Sequence, residues 1–438
     1  MTSQIDLPFA KRTLANGLDV LVHENRRVPV VAVNVWYHVG SKNERPGRTG
    51  FAHLFEHLMF EGSEHHDAGY FAPLQQAGGL LNGSTNCDRT NYWEVVPTSA
   101  IDLALWMESD RMGYLLPAVT RERFETQREV VLNERRQNYE NRPYGLSMMA
   151  MSEALYPPDH PYHWPTIGGA DDIRAMQLEE VQAFFRTYYH ASNASLAIAG
   201  DIDTERAFDL AEQYFGELPA GVRPSPVEMQ ASLTREVRLV LEDRVELPRV
   251  YMAWHSPAMF GPGDADLDLL GDLLGNGKTS RLYRTLVYDQ RIALDVSAYQ
   301  NSRELGSFFL LAVTAAPGRT LTEIGAAVDK ELQALASAGP TGSEMERAAA
   351  QVEAHFIYRL QTVGGFGGKS DQLNAYNVLR GDPGFFDADV ARYRNATRES
   401  VQAAADRMLR FDARVLLSVV PRGQLALALP GSEPVVVA

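Results

Sequence analysis

The sequence predicts an α+β protein built from two similar halves, and three observations carry the prediction. Short runs rich in β-branched and aromatic residues alternate with longer stretches of helical periodicity. A segment with three prolines and a glycine, Leu218-Pro219-Ala220-Gly221-Val222-Arg223-Pro224-Ser225-Pro226, opposes continuous helix or sheet near the middle of the chain. After it, the strand-then-helix programme of the first half repeats. These features predict domains over residues 1–220 and 221–438.

In chain order, the Asn16-Gly17 pair joins two strand-like segments between Thr13 and His23. Val30 to Val39 reads as a β-branched and aromatic strand. Helical patterns follow at 99–115, 121–139, 145–155, 178–189 and 204–215, and Ser195 to Gly200 is a strand before the last of them. In the second half, Arg249 to His255 occupies the position of the Val30 strand. Ala265 to Leu274 then resembles the helix at residues 51–59, although without its histidines. Leu305 to Ala315 and Arg414 to Val420 read as strands, and Thr322 to Ala336 and Ser343 to Gln361 as helices.

Composition excludes several function classes. The 438 residues include 45% hydrophobic side chains, enough for substantial cores, and carry a formal charge of −15 from 41 basic and 56 acidic residues. Nucleic acid is not an expected partner, because phosphate binding needs concentrated Lys and Arg. No apolar run approaches the ~18 residues that span a bilayer, so no membrane partner is expected. One cysteine, Cys87, excludes an intramolecular disulfide framework. The opening Met1-Thr2-Ser3-Gln4-Ile5-Asp6-Leu7-Pro8 lacks a charged region followed by an apolar one. The expectation is a cytoplasmic protein, or a periplasmic one if a signal peptide has been removed.

The chemistry is concentrated in His53-Leu54-Phe55-Glu56-His57. At about 100° per residue, Phe51, Leu54, Phe55, Leu58 and Met59 form one apolar stripe and His53, Glu56 and His57 the opposite face. Imidazoles one turn apart can bind the same Zn²⁺, and a catalytic zinc keeps three protein ligands and a water. Glu56 is placed to act on that water as general base. The order matches the H-x-x-E-H form of zinc peptidase motif. A third ligand must come from another element. Arg121 to Tyr139 has no Gly or Pro and offers Phe124, Val131 and Leu132 for packing. Its Glu134 is either that ligand or a solvated acid beside Arg135 and Arg136.

Gly50-Phe51-Ala52-His53-Leu54-Phe55-Glu56-His57-Leu58-Met59-Phe60-Glu61-Gly62-Ser63 resembles the zinc helix of the pitrilysin/insulinase metallopeptidases, the family of the mitochondrial processing peptidase. In that family a Glu follows the second His after about 76 residues, and here 134 − 57 − 1 = 76. The resemblance implies His53, His57 and Glu134 as ligands of one Zn²⁺ and Glu56 as the base. It also implies two α+β domains, each a mainly antiparallel sheet with packed helices, forming half of a clamshell around peptide substrates. Gly78 to Thr85, followed by Asp88, Thr90 and Tyr92, is similar to the family's edge strand. Gly79, Asn82, Gly83, Ser84 and Thr85 are the implied substrate-binding residues, through strand addition.

The match has two departures. Gln127 stands where the family commonly has a Glu seven residues before the third ligand, so no charge or proton-handling role is expected there. The Arg/Tyr pair that some members supply from the second half maps onto Val287 and Leu294, which cannot donate hydrogen bonds. The expectation is a zinc endopeptidase acting as one subunit of a heterodimer, its homologous partner supplying the Arg/Tyr pair. The competing expectations are a non-catalytic scaffold or peptide-binding subunit and a metal-dependent hydrolase with a non-peptide substrate.

Other features read as structural. Neither Gly277-Lys278-Thr279 nor Gly368-Lys369-Ser370 is a phosphate loop, because Asp272 and Val363 stand where its first glycine is required. Gly364 to Gly368 is expected to be a flexible loop. His65-His66 is expected in a solvated turn, His160 and His163 in a structured loop, and Tyr188, Tyr189 and Trp254 in packing.

Overall fold

The computed structural model describes residues 6–437; the reading of the N-terminal five residues lies outside them. The chain forms two compact units. One comprises the chain through Asn133 with Pro165–Val227 and His355–Ala388, the other Glu134–Trp164, Glu228–Ala354 and the chain from Asp389 onward. The two sequence halves therefore exchange segments, each lending one to the unit built mainly from the other.

In the first unit, β1 (Ala10–Thr13), β2 (Asp19–Glu24), β3 (Val30–Tyr37), β4 (Leu80–Thr85), β5 (Thr90–Pro97) and β6 (Ala194–Gly200) form one sheet. Its order is β1-β2-β6-β3-β5-β4. Only β2 and β6 run parallel. β3 is central, and all its residues after Val30 are buried. That is why it reads as a continuous apolar run and not as an alternation.

The second unit repeats this plan with β7 (Val237–Asp243), β8 (Arg249–Ser256), β9 (Ala293–Asn301), β10 (Ser307–Ala315), β11 (Val415–Pro421) and β12 (Glu433–Pro434). The order is β12-β7-β11-β8-β10-β9. Here β7 and β11 take the parallel pairing of β2 and β6. The outermost strand differs, since β12 runs parallel to β7 whereas β1 is antiparallel to β2. Its core joins Trp254, Leu267, Leu270, Phe309, Ile324 and Leu332, all at most 2% exposed.

The exchanged segments are reciprocal. Helix Ser147–Leu155, from the first sequence half, packs on β8 and β11. Helix Lys369–Arg380, from the second, packs on β2, β3 and β6. The latter contact is polar. Asn374 donates to the Asn34 carbonyl at 2.8 Å and accepts from Ser195 Oγ at 2.8 Å. Asn377 reaches Asp19 at 3.0 Å and accepts from Lys11 at 2.8 Å.

The glycine-rich segment before this helix is packed against the sheet. A Cβ on Gly364 would lie 2.5 Å from Ala32 Cβ and 2.6 Å from Val95 Cγ2, so only glycine fits there. Phe366 stands edge-on to Trp93 with ring centroids 5.4 Å apart. The segment is therefore a tight connection seated on β3 and β5. Among the described residues no helix is long and apolar enough to cross a membrane.

Candidate metal centre

The histidine helix spans Phe51–Leu58. It starts at Gly50, whose φ of 96° is left-handed and lacks a side chain to cap the helix. Glu44 supplies the cap, accepting from Gly50 N and Ala52 N, both at 2.9 Å. Phe51, Leu54, Phe55, Leu58 and Met59 are buried, whereas His53, Glu56 and His57 are half-buried. The amphipathic reading thus holds residue by residue.

Glu134 lies on the helix Arg121–Arg135, whose Phe124, Val131 and Leu132 are buried as expected. The boundary between the compact units falls between Asn133 and Glu134, yet the helix is continuous through it. A five-residue π turn, Arg136–Glu140, then replaces the expected α-helical continuation to Tyr139. Within it, Asn138 Nδ2 donates to Glu134 Oε1 at 3.3 Å. Gln127 is buried at 8% exposure, a neutral amide in the helix interior face.

The two imidazole rings stand nearly perpendicular, at 73°, with centroids 4.8 Å apart. One ligand atom each from His53, His57 and Glu134 lies within 4.8 Å of the other two. A tetrahedral zinc with bonds of about 2.1 Å needs ligand atoms about 3.4 Å apart. Small side-chain rotations therefore close the set. Two imidazoles and one carboxylate are also the donor chemistry that leaves a fourth position open. The residues present fit a zinc ion.

The edge strand lies where the sequence placed it, since among the described residues β4 pairs only with β5. Asn86 N–H donates to the Arg89 carbonyl at 3.0 Å and closes the hairpin. Bonded and non-bonded pairs alternate from there, so the backbone groups of Thr85, Gly83 and Leu81 point away from β5. Consistently, Gly83 N–H meets its neighbour Asn82 Oδ1 at 2.8 Å. A Cβ on Gly83 would come within 3.1 Å of both Tyr92 and Phe60, so the strand hugs the aromatic layer beneath. Gly79 immediately precedes β4 and is buried. Ser84 Oγ is engaged with Asn91 at 2.7 Å, and Thr85 Oγ1 lies 3.5 Å from Thr90 Oγ1.

Two groups escape a reading of the sequence alone. Arg89 donates to the Ser84 carbonyl at 2.8 Å and lies 5.1 Å from the Trp36 ring, while its buried Nε has no hydrogen-bond partner among the described residues. Burial lowers its pKa, against the fields of Asp371 and Glu56. The second group underlies the end of the histidine helix. There Arg111 sits between the rings of Tyr70 and Tyr92, 4.0 and 4.1 Å from their centroids. Its Nε donates to Glu108 at 2.9 Å. Tyr70 OH donates to Glu94 at 3.0 Å, and burial followed by the Glu108 charge pushes the Glu94 carboxyl well up. The overlooked signal was a charge at inward positions, Glu94 within an alternating strand and Glu108 with Arg111 at i, i+3.

The other histidines behave structurally. His65 is exposed and bonds Asp110 at 2.5 Å, which raises its pKa, and His66 is half-buried near Trp106. His160 is 1% exposed, and burial pushes it down to about 4. Tyr189 and Trp254 are buried packing residues.

Residues 19–158 match the family model described as Insulinase (Peptidase family M16), and residues 175–352 match the Peptidase M16 inactive domain. The chain is 30% identical over 375 residues to the zinc protease PqqE of Helicobacter pylori, covering 84% of each. It is 28% identical to an uncharacterized zinc protease of Mycobacterium leprae, covering 93% of this chain and 91% of that one. Its fold matches a crystal structure of a protease from Helicobacter pylori at TM-score 0.88 and 27% identity, covering 94% of this chain and 99% of that one.

Proposed function

Because the chain belongs to the peptidase M16 family, we propose that it is a zinc-dependent endopeptidase acting on unfolded or short polypeptides, with His53, His57 and Glu134 as zinc ligands. The observation that carries this reading is the approach of those three ligand atoms to within 4.8 Å of one another, with Glu56 on the same helix face as the two histidines. Bound zinc would supply Lewis-acid polarisation of a carbonyl and acidify water.

Glu56 has the general-base role. It takes a proton from the attacking water and returns it to the leaving amine. The outward backbone groups of Leu81, Gly83 and Thr85 hold the substrate as an added strand. For full pairing, Asn82 must surrender Gly83 N–H to the peptide. Gly79 and Gly83 keep the strand low against its neighbours, while Ser84 and Thr85 brace the hairpin from within. Arg89 fixes the hairpin end beside this strand.

The first half, 1–220, is the zinc-bearing peptidase domain in this reading and the second, 221–438, its metal-free homologue. The chain acts as the zinc subunit of a heterodimer whose homologous partner supplies an Arg/Tyr pair. Its single cysteine is consistent with a reducing compartment, so the reading is cytoplasmic, or periplasmic if a signal peptide has been removed.

The test combines zinc analysis of the purified chain with cleavage of an unstructured, internally quenched peptide. Glu56→Gln should keep roughly stoichiometric zinc and lose cleavage. A wild-type chain without zinc would leave the scaffold reading instead. Undiminished cleavage by Glu56→Gln would refute the assigned base.

A further inference from the structure

A cavity lies behind the histidine helix. It has a volume of about 370 Å³ between the Asn43–Arg48 segment and helix Leu178–Tyr188. That volume falls in the range of small-molecule sites, which are mainly apolar with a few orienting polar groups. Phe51 and Phe184 form its apolar wall, with ring centroids 5.6 Å apart, and Tyr188 stands 4.7 Å from Phe184. Phe51 is two residues from His53, about 200° around the helix, so the cavity faces away from the metal ligands.

The charges in the cavity do not cancel. Arg48 Nε is paired with Glu180 at 2.8 Å, and the other Glu180 oxygen accepts from Gln177 N at 3.1 Å. That pair is neutral and already committed. Glu44 is committed to the helix start, one carboxyl oxygen accepting from Gly50 N and the other from Ala52 N, so it is not directed at the cavity's cation, and desolvation pushes its carboxyl up to about 8. Arg45 remains. It is exposed and has no ion pair among the described residues. A backbone bridge between Arg45 and Arg48 holds it at the rim.

We propose that this cavity binds a compact aromatic carboxylate, with its ring against Phe51 and Phe184 and its carboxylate on Arg45. The cation and the aromatic wall define the ligand class together. Guanidinium pairs with carboxylate through charge-assisted hydrogen bonds, and an aromatic ring gains both area burial and edge or offset contacts with Phe51 and Phe184. Because Phe184 also packs on Phe55, 6.0 Å away at 13°, occupancy bears on the buried face of the histidine helix. The site requires no peptidase activity and stands apart from the functional reading above.

A free acid and a peptide ending in phenylalanine carry the same group, so both are titrated into the full chain by calorimetry. The probes are 3-phenylpropionate and N-acetyl-glycyl-phenylalanine, each with its amide as control. Saturable binding of at least one acid is expected, with binding of its amide at least about tenfold weaker. Arg45→Gln should weaken the acid by a similar factor, and Ala183→Trp, at an exposed position of the lining, should abolish binding by filling the cavity. Both variants should keep the wild-type melting temperature. If the free acid alone binds, the source is a small molecule; if the peptide alone binds, it is a chain terminus. No saturable binding of either acid, equal binding of acid and amide, or binding unchanged in Ala183→Trp overturns the proposal.

Discussion

Asp371 Oδ1 accepts the indole N–H of Trp36 at 2.8 Å, joining residues 335 positions apart in the chain. The same carboxylate accepts from Asn91 at 3.1 Å, Asn34 at 3.3 Å and Gly367 N at 2.7 Å. It also stands in the first turn of helix Lys369–Arg380, where a negative charge suits the helix dipole. One side chain thus fastens the exchanged helix to β3 and β5.

Asp371→Ala should destabilise the first unit by about 3 kcal/mol, because Asn34 and Asn91 are 0% exposed and their donors would be left unsatisfied. Asp371→Asn should cost less, since one acceptor oxygen remains. Hydrogen exchange checks this: protection should fall in β3, β5 and residues 369–380 before the second unit responds. Uniform loss across both units would show that the contact is not local.

The histidine helix was legible because its chemistry and its amphipathic period coincide within nine residues. The duplication was legible from strand and helix order, and the structure sharpens it. Gly263 begins helix Asp264–Gly275 with φ 90°, as Gly50 begins the histidine helix with φ 96°. Superposing the two glycines sets Asp266 and Leu270 at the places of His53 and His57. The exchanged helix Lys369–Arg380 was not legible, because Asp371, Asn374 and Asn377 resemble a solvated face. They are instead a polar layer bonded to a sheet that itself presents Asn34, Asn91 and Ser195. Arg89 and the Glu94–Glu108–Arg111 group were missed for a related reason: Arg89 bonds Ser84 and Arg111 bonds Glu108 within five residues, a pattern that reads as surface charge, whereas the rings that cover them, Trp36 for Arg89 and Tyr70 and Tyr92 for Arg111, are distant in sequence.

Glu134→Gln should weaken zinc binding by at least about 100-fold, since even partners one shell away from a metal change affinity by about 10–100-fold. Metal restoration gives an independent readout. Zinc added to the chelated wild-type chain should raise its melting temperature, with about 2.7 kcal/mol of stabilisation at a free concentration 100 times Kd. The variant should show little rise at the same concentration. An equal shift in both proteins would remove Glu134 from the ligand set.

In the second unit, burial and then the neighbouring Asp264 charge push Asp268 up to about 7, against the Tyr393 hydroxyl at 2.6 Å and Arg392. Asp272 adds to the rise. The folded state therefore binds this proton more tightly than the unfolded state, whose carboxyl titrates near 3.8. The contribution to stability is full below pH 4 and is lost as pH rises through 7, by at most about 4 kcal/mol. Asp268→Asn should flatten this limb, because the amide oxygen can still accept from Tyr393. Denaturant midpoints at pH 5 and pH 8 supply the comparison. A wild-type difference that persists unchanged in the variant would assign the slope to other groups.

Val287 and Leu294 bear on whether the chain works alone. Val287 lies in the turn Tyr283–Asp289, and Leu294, 52% exposed, lies in β9. Neither can donate a hydrogen bond to a developing oxyanion, and the nearby Arg284 is paired with Asp289 at 3.9 Å. Loss of one preorganised donor typically costs about 10²–10³ in rate, so the isolated chain should be a poor peptidase even when fully loaded with zinc. A homologous subunit carrying an Arg/Tyr pair at the corresponding positions should raise kcat/KM by about that factor without changing zinc content. Val287→Arg combined with Leu294→Tyr separates the chemistry from mere association, since partial activity gained in the isolated double variant would locate the missing donors. Full cleavage by the wild-type chain alone, unchanged by the partner, would show that this protein completes its site from its own residues.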